Sequence, residues 1–149
     1  MNSDAGNAIQ RIADSLADAW NRHNAAAFAA NFAEDADFTN VFGMHAKGRS
    51  AIEGFHQPIF ETIFKDSRLM IDETRARFIR PDIAAVDLHW TMEGARNPLG
   101  TGWPRRRGLI NMLATREAGL WSITVMHNMD LPDPEMADAQ KNLQESKQA

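Results

Sequence analysis

The sequence predicts an α+β domain, in which three N-terminal helices pack on a cone-shaped, curved, mixed or antiparallel sheet and enclose a pocket. Three observations predict it. Helical periodicity dominates the first part of the chain, period-two alternation dominates the rest, and hairpin-like turns join most of the strands. The length of 149 residues favours a single core. Residues 1–131 read as that single domain. Pro132 and Pro134 end it, and 132–149 reads as a polar, helix-prone tail.

Residues 7–22 form an amphipathic pattern, because Ile9, Ile12, Leu16, Ala19 and Trp20 recur on one helical face. Asn21 to Asn24 interrupt it, and 25–32 resumes it as a short alanine-rich helix. Its Phe28 and Phe32 lie one turn apart. Residues 36–42 alternate as a strand that Gly43 ends. Ser50, with Glu53 three residues on, has the form of a capping box opening a third helix. Ile52, Phe55, Ile59 and Ile63 give that helix its apolar side, and Pro58 must kink it or begin a second segment. Strands follow at 69–80, 83–92, 107–116 and 120–129. Arg80-Pro81-Asp82 and Glu117-Ala118-Gly119 make turns, and 94–104 makes a loop.

Composition excludes several function classes. A net charge of -4 argues against nucleic acid, whose phosphates need a basic face. The absence of cysteine removes disulfides and thiolate zinc sites. The absence of tyrosine closes every phenol-based catalytic scheme. No apolar run approaches the roughly 20 residues of a membrane span, and the N-terminus lacks the order of a signal peptide. A cytoplasmic protein with no membrane partner is the expectation. The five histidines form no ligand-spaced pair, so no metal site is expected. No nicotinamide, flavin or phosphate-loop motif is visible, so no cofactor is expected either.

Strand parity places side chains in the cup. Phe38, Asn40 and Phe42 share a face, as do Leu109, Asn111 and Leu113, and as do Met126 and Asn128. Val86, Leu88, Trp90 and Met92 form a clean apolar row. The expected site is an apolar cup in which Asn40, Asn111 and Asn128 present carboxamides to a ligand. Phe38, Phe42, Leu88, Trp90 and Leu109 are its expected walls. An amide orients a ligand but takes no proton. A buried amide left unpaired costs roughly 1–3 kcal/mol, so the three need partners. Those partners are either a ligand or one another, in which case the amides merely stitch the sheet. Arg105, Arg106 and Arg107 either attract an anionic ligand or form a solvated edge that blocks strand pairing.

The order and the motifs resemble the nuclear transport factor 2-like superfamily, its SnoaL-like branch, and within that the SgcJ/EcaC type. Trp20, Phe32-Ala33-Glu34-Asp35, the stretch Asp37-Phe38-Thr39-Asn40-Val41-Phe42-Gly43, Gly48-Arg49, Ala51-Ile52, His56, Trp121 and His127-Asn128 carry the resemblance. It covers about residues 7–130. Against the ketosteroid isomerase pattern of that superfamily, the aspartate base falls at Asn40 and the second aspartate at Asn111. The tyrosines fall at Leu16 and His56, and a tryptophan falls at Asn128. The carboxyls and phenols are absent, so the isomerase mechanism does not transfer. The resemblance also implies a homodimer through the outer sheet face, where Trp121, Ile123 and Val125 would pack.

His56 is the titratable group expected to face the cup, either as a general acid or base near neutral pH or as a cap on a polar network. Two functions follow. One is a cofactor-independent cyclase, isomerase or hydratase acting on a mostly apolar carbonyl or hydroxyl compound, with Asn40 orienting and His56 moving the proton. The other is a binding or dimerisation module with the same pocket and no chemistry.

Overall fold

The computed structural model describes residues 4–148. Its elements are α1 (Asp4–Asn21), α2 (Ala25–Ala29), β1 (Phe32–Thr39), β2 (His45–Lys47), α3 (Arg49–Glu61), β3 (Arg68–Arg80), β4 (Ile83–Glu93), β5 (Arg106–Glu117), β6 (Leu120–Asp130) and α4 (Pro134–Gln148). The six strands make one sheet in the order β2-β1-β6-β5-β4-β3. β3 through β6 pair as an antiparallel meander, and β1 runs parallel to β6. Register shifts interrupt the β1–β6, β3–β4 and β5–β6 ladders. Such bulges bend and twist a sheet, which is how this one curves without closing. The predicted α+β class and helix-on-curved-sheet layering are what the chain adopts.

The three N-terminal helices cover the concave face. α1 buries Ile9, Ile12, Ala13, Leu16, Ala19 and Trp20, the stripe its periodicity predicted. Its C-terminal end is tied to the start of β3 by side chains. The Asn21 carboxamide accepts from the Leu69 N–H at 2.7 Å and donates to the Leu69 carbonyl at 2.9 Å. The Trp20 indole N–H donates to Ser67 Oγ at 3.0 Å, and that hydroxyl donates to the Phe64 carbonyl at 2.8 Å.

The structure corrects four local expectations. The second helix stops at Ala29, and β1 begins at Phe32, earlier than expected. The Asn31 amide donates to the Ala27 and Phe28 carbonyls, ending the helix. The Asn31 carbonyl then accepts from the Ile123 N–H, which starts the parallel pairing. Ser50 does not cap α3. Gly48 does, at φ 92°, a left-handed conformation that favours glycine, and its carbonyl accepts from the Ile52 N–H. Between Gly43 and the third helix, where the sequence pattern predicts no strand, a short strand β2 runs from His45 to Lys47. Ile123 is fully buried, paired with Phe32 and Ala114. The bulge between Leu113 and Ala114 turns it inward, so Trp121, Ile123 and Val125 do not make one outer face.

α4 follows the sheet as a helix whose described side chains are exposed. Among the described residues no helix is long and apolar enough to cross a membrane.

Replacing Asn21 by Ala removes both bonds to Leu69 and leaves a part-buried backbone pair unmatched. Stability should fall by about 1–3 kcal/mol. In urea unfolding the midpoint should drop at constant slope. An unchanged midpoint would show that the tie contributes nothing.

Candidate functional site

Between the helices and the concave sheet face lies a cavity of about 560 Å³. Its wall is apolar over most of its area, with Leu16, Trp20 and Phe28 from the helices and Phe38, Ile110 and Met126 from the sheet. Among the described lining residues there is no aspartate or glutamate. Asn40, His56, Thr62, Arg106 and Asn128 contribute the polar side chains apart from the indoles. In such a wall each polar atom needs a partner, so the free ones define what a ligand must offer.

His56 is 2% exposed and stands one helical turn beyond Ile52, whose carbonyl lies 2.7 Å from its Nδ1. A carbonyl only accepts, so Nδ1 carries the proton. Nε2 then holds the lone pair, and no described residue bonds to it. The ring packs against Phe28 at 4.4 Å and Phe38 at 4.9 Å between centroids. Burial disfavours the imidazolium and lowers its pKa from 6.5 to about 4, with the Ile52 hydrogen bond opposing this more weakly. His56 is therefore a neutral acceptor at physiological pH.

Asn40 follows the last residue of β1. Its Oδ1 accepts from the Phe42 N–H at 3.0 Å and the Met44 N–H at 2.8 Å, shaping the turn to β2. That fixes the amide orientation and leaves Nδ2 as a donor at the cavity rim. Asn128 is fixed in the same way. The Trp90 indole N–H, a donor only, reaches Asn128 Oδ1 at 2.8 Å, so Nδ2 is again a donor.

Trp90 takes this pose because its cross-strand partner is Gly108. A Cβ there would lie 1.9 Å from Trp90 Cζ2. The indole occupies the space a side chain would fill.

Arg106 is 7% exposed and bounds the cavity near its mouth. Its Nη2 and Nε donate to Asp130 Oδ1 at 2.7 and 3.1 Å. The Trp103 ring lies over the guanidinium at 3.7 Å from its centroid, and Trp90 lies at 5.2 Å. Burial lowers the guanidinium pKa, and the bond and charge of Asp130 oppose that.

The predicted residues are only partly brought together. Asn40, His56, Asn128, Trp90, Phe38 and Phe42 line the cavity. Phe42 does so from the rim, where it is 56% exposed and stacked on Trp103. Leu88 is fully buried on the same sheet face but forms no part of the wall. Asn111 and Leu109 are corrections. β5 turns Ile110, Met112 and Ala114 inward, against Leu88, Val86 and Ala84 of β4. Leu109 and Asn111 therefore lie on the opposite face, where Asn111 is exposed and donates to Asp87. The expected convergence of three amides is a convergence of two. β5 is apolar on both faces, so alternation alone cannot tell its inside from its outside.

Sequence reasoning left Arg106 between an anion-attracting role and a solvated edge, and it did not assign Trp103 or Trp20 to the wall of the cavity. Arg106 shares the parity of Gly108 and Ile110, a signal that becomes readable once β5 is registered against β4. Arg105 and Arg107 are exposed and meet Glu93 and the Pro132 carbonyl, but they block no strand pairing, because β5 lies between β6 and β4 and Arg107 is registered against Thr91.

Two outcomes follow from this geometry. Gly108→Ala should expel the Trp90 indole and break its bond to Asn128. Overpacking of this kind costs about 1–3 kcal/mol. Near-ultraviolet circular dichroism should change with it, and an unaltered spectrum would refute the close approach. The second outcome is a pH dependence. The unfolded His56 ring binds a proton near 6.5 and the folded ring only near 4, so the unfolded state holds more protons between those values. Stability should therefore be whole above the upper value and fall as pH drops toward the lower one. At about 1.4 kcal/mol per unit the loss approaches about 3 kcal/mol. Urea titrations from about pH 7 to about pH 4 should show it, and His56→Gln should flatten it. A wild-type slope equal to that of the variant would contradict a buried neutral ring.

The model of the SnoaL-like domain matches residues 13–122. No curated protein matches the chain. A protein with a cystatin-like fold from Caulobacter vibrioides superposes with a TM-score of 0.87 at 30% identity, covering 95% of this chain and 99% of that one. A domain with a cystatin-like fold from Nostoc punctiforme gives a TM-score of 0.75 at 27% identity, covering 99% and 100%. A hexachlorocyclohexane dehydrochlorinase (LinA, type 2) gives 0.78 at 12% identity, covering 86% of each, a likeness of fold. The family match spans the second half of α1, all of α2 and α3, and β1 to β5, and stops at the start of β6; on it the chain belongs to the SnoaL-like domain family.

Proposed function

We propose that this chain is a small-molecule pocket protein that transforms a mostly apolar carbonyl or hydroxyl compound without a cofactor, by isomerisation, cyclisation or hydration–dehydration. The observation that carries the reading is the polarity of the free atoms in the cavity. Asn40 Nδ2 and Asn128 Nδ2 are donors, and His56 Nε2 is an acceptor, with no bonded partner among the described residues. Donors of this kind polarise a carbonyl or hold a leaving oxygen. The acceptor takes a proton from the carbon or hydroxyl beside it. Because the buried imidazolium is disfavoured, the proton returns to the same molecule or leaves on its oxygen. That favours reactions in which the proton moves within one bound compound. The presence of a dehydrochlorinase on the same fold is consistent with small-molecule chemistry in such a cup. The sequence resemblance to the SgcJ/EcaC type belongs to this reading.

One observation favours a second reading, binding without chemistry. No described carboxylate lines the cavity to stabilise a protonated His56. In that case Nε2 simply accepts a hydrogen bond from a ligand hydroxyl.

Mass spectrometry of the purified protein should identify a co-purified apolar compound. Incubated with it, the wild type should form product, and His56→Ala should bind it but form none. Turnover retained in the variant would remove His56 from the chemistry. A compound recovered unchanged from wild type after long incubation would establish the binding reading.

A further inference from the structure

The cavity holds a cation that the proposed chemistry does not use. Arg106 lines both the inner cavity and an outer groove, whereas its counter-ion Asp130 lines only the groove. Asp130 thus meets the guanidinium from the outer side, and it is half exposed, so solvent shares its charge. Of the five guanidinium N–H groups, two are spent on Asp130 and one points at Met92 Sδ at 3.7 Å. Two N–H groups have no described acceptor. Trp103 covers a planar face of the group, so its edge is what remains open. No described acidic side chain lines the inner cavity to match this charge. The donors of Asn40 and Asn128 add to the same bias.

We propose that Arg106 anchors a carboxylate, and that the ligand of this cavity is an apolar organic acid. The proposal rests on the pocket reading above and narrows its ligand class. The carboxylate oxygens take the two open N–H groups, and the apolar body fills the aromatic wall around His56. A planar guanidinium held flat under an indole is already oriented for that pairing, so little rotamer freedom is lost on binding. The ion pair with Asp130 keeps the unliganded cation from standing alone in an apolar wall.

The test compares three matched probes by calorimetry: 1-naphthaleneacetate, its neutral primary amide, and 1-methylnaphthalene. Wild type should bind the acid about tenfold or more tightly than the amide. Arg106→Met should abolish that preference while still binding the amide. Asp130→Asn leaves the guanidinium in place, removes the competing charge, and should widen the preference; it also serves if Arg106→Met fails to fold. Equal affinity for acid and amide in wild type would overturn the carboxylate proposal and leave the pocket reading standing, as would an unchanged or narrowed preference in Asp130→Asn. Binding of none of the three would overturn both.

Discussion

The close approach of Trp90 to Gly108 is the contact on which the site depends. An indole cannot lie across an antiparallel partner strand unless that strand lacks a side chain at the facing position. With the space open, Trp90 reaches Asn128 on the far side of β5 and flanks Arg106. One missing Cβ therefore orients an amide in the cavity and helps house a cation at its mouth. The cost of a glycine within a strand, less backbone order and no side chain to pack, is met here by a large aromatic contact.

The polarity of the cavity follows from partners outside it. A carbonyl of α3 settles the His56 tautomer, two turn amides settle Asn40, and an indole settles Asn128. None of these three needs a ligand to have a defined orientation. Each is pre-organised by the chain, which spares a ligand the cost of ordering it. Aromatic packing around His56 excludes water, so the neutral ring is preferred and hydrogen bonds inside the cavity gain strength.

The three arginines at the start of β5 show how one sequence feature divides by geometry. Alternation sends Arg105 and Arg107 outward, where they are exposed. It sends Arg106 inward, where an acidic residue of β6 and an indole from the preceding loop receive it. A buried guanidinium is tolerable only with such company, since desolvation of a lone charge is severe. The same arrangement leaves two of its N–H groups without an acceptor among the described residues.

Much of the fold was legible in the sequence, because it is written in local periodicity. The stripe of α1, the four long strands and their turns follow from the spacing of apolar residues and from Pro and Gly. The start of β1 was hidden by an alanine-rich run that suits a helix. What ends that helix is an Asn31 amide, and what recruits the strand is pairing with β6, distant in sequence.

The sequence by itself determined the α+β class, the apolar cup and the presence of His56, Asn40 and Asn128 along its wall. Local spacing and residue chemistry suffice for those. Tertiary structure alone decided that Asn111 faces away, that Ile123 is core, and that Arg106 is buried beside Trp103. A strand apolar on both sides has no preferred face until its neighbours register against it. The side of the sheet on which a charge rests is therefore a property of the assembled ladder, not of the strand.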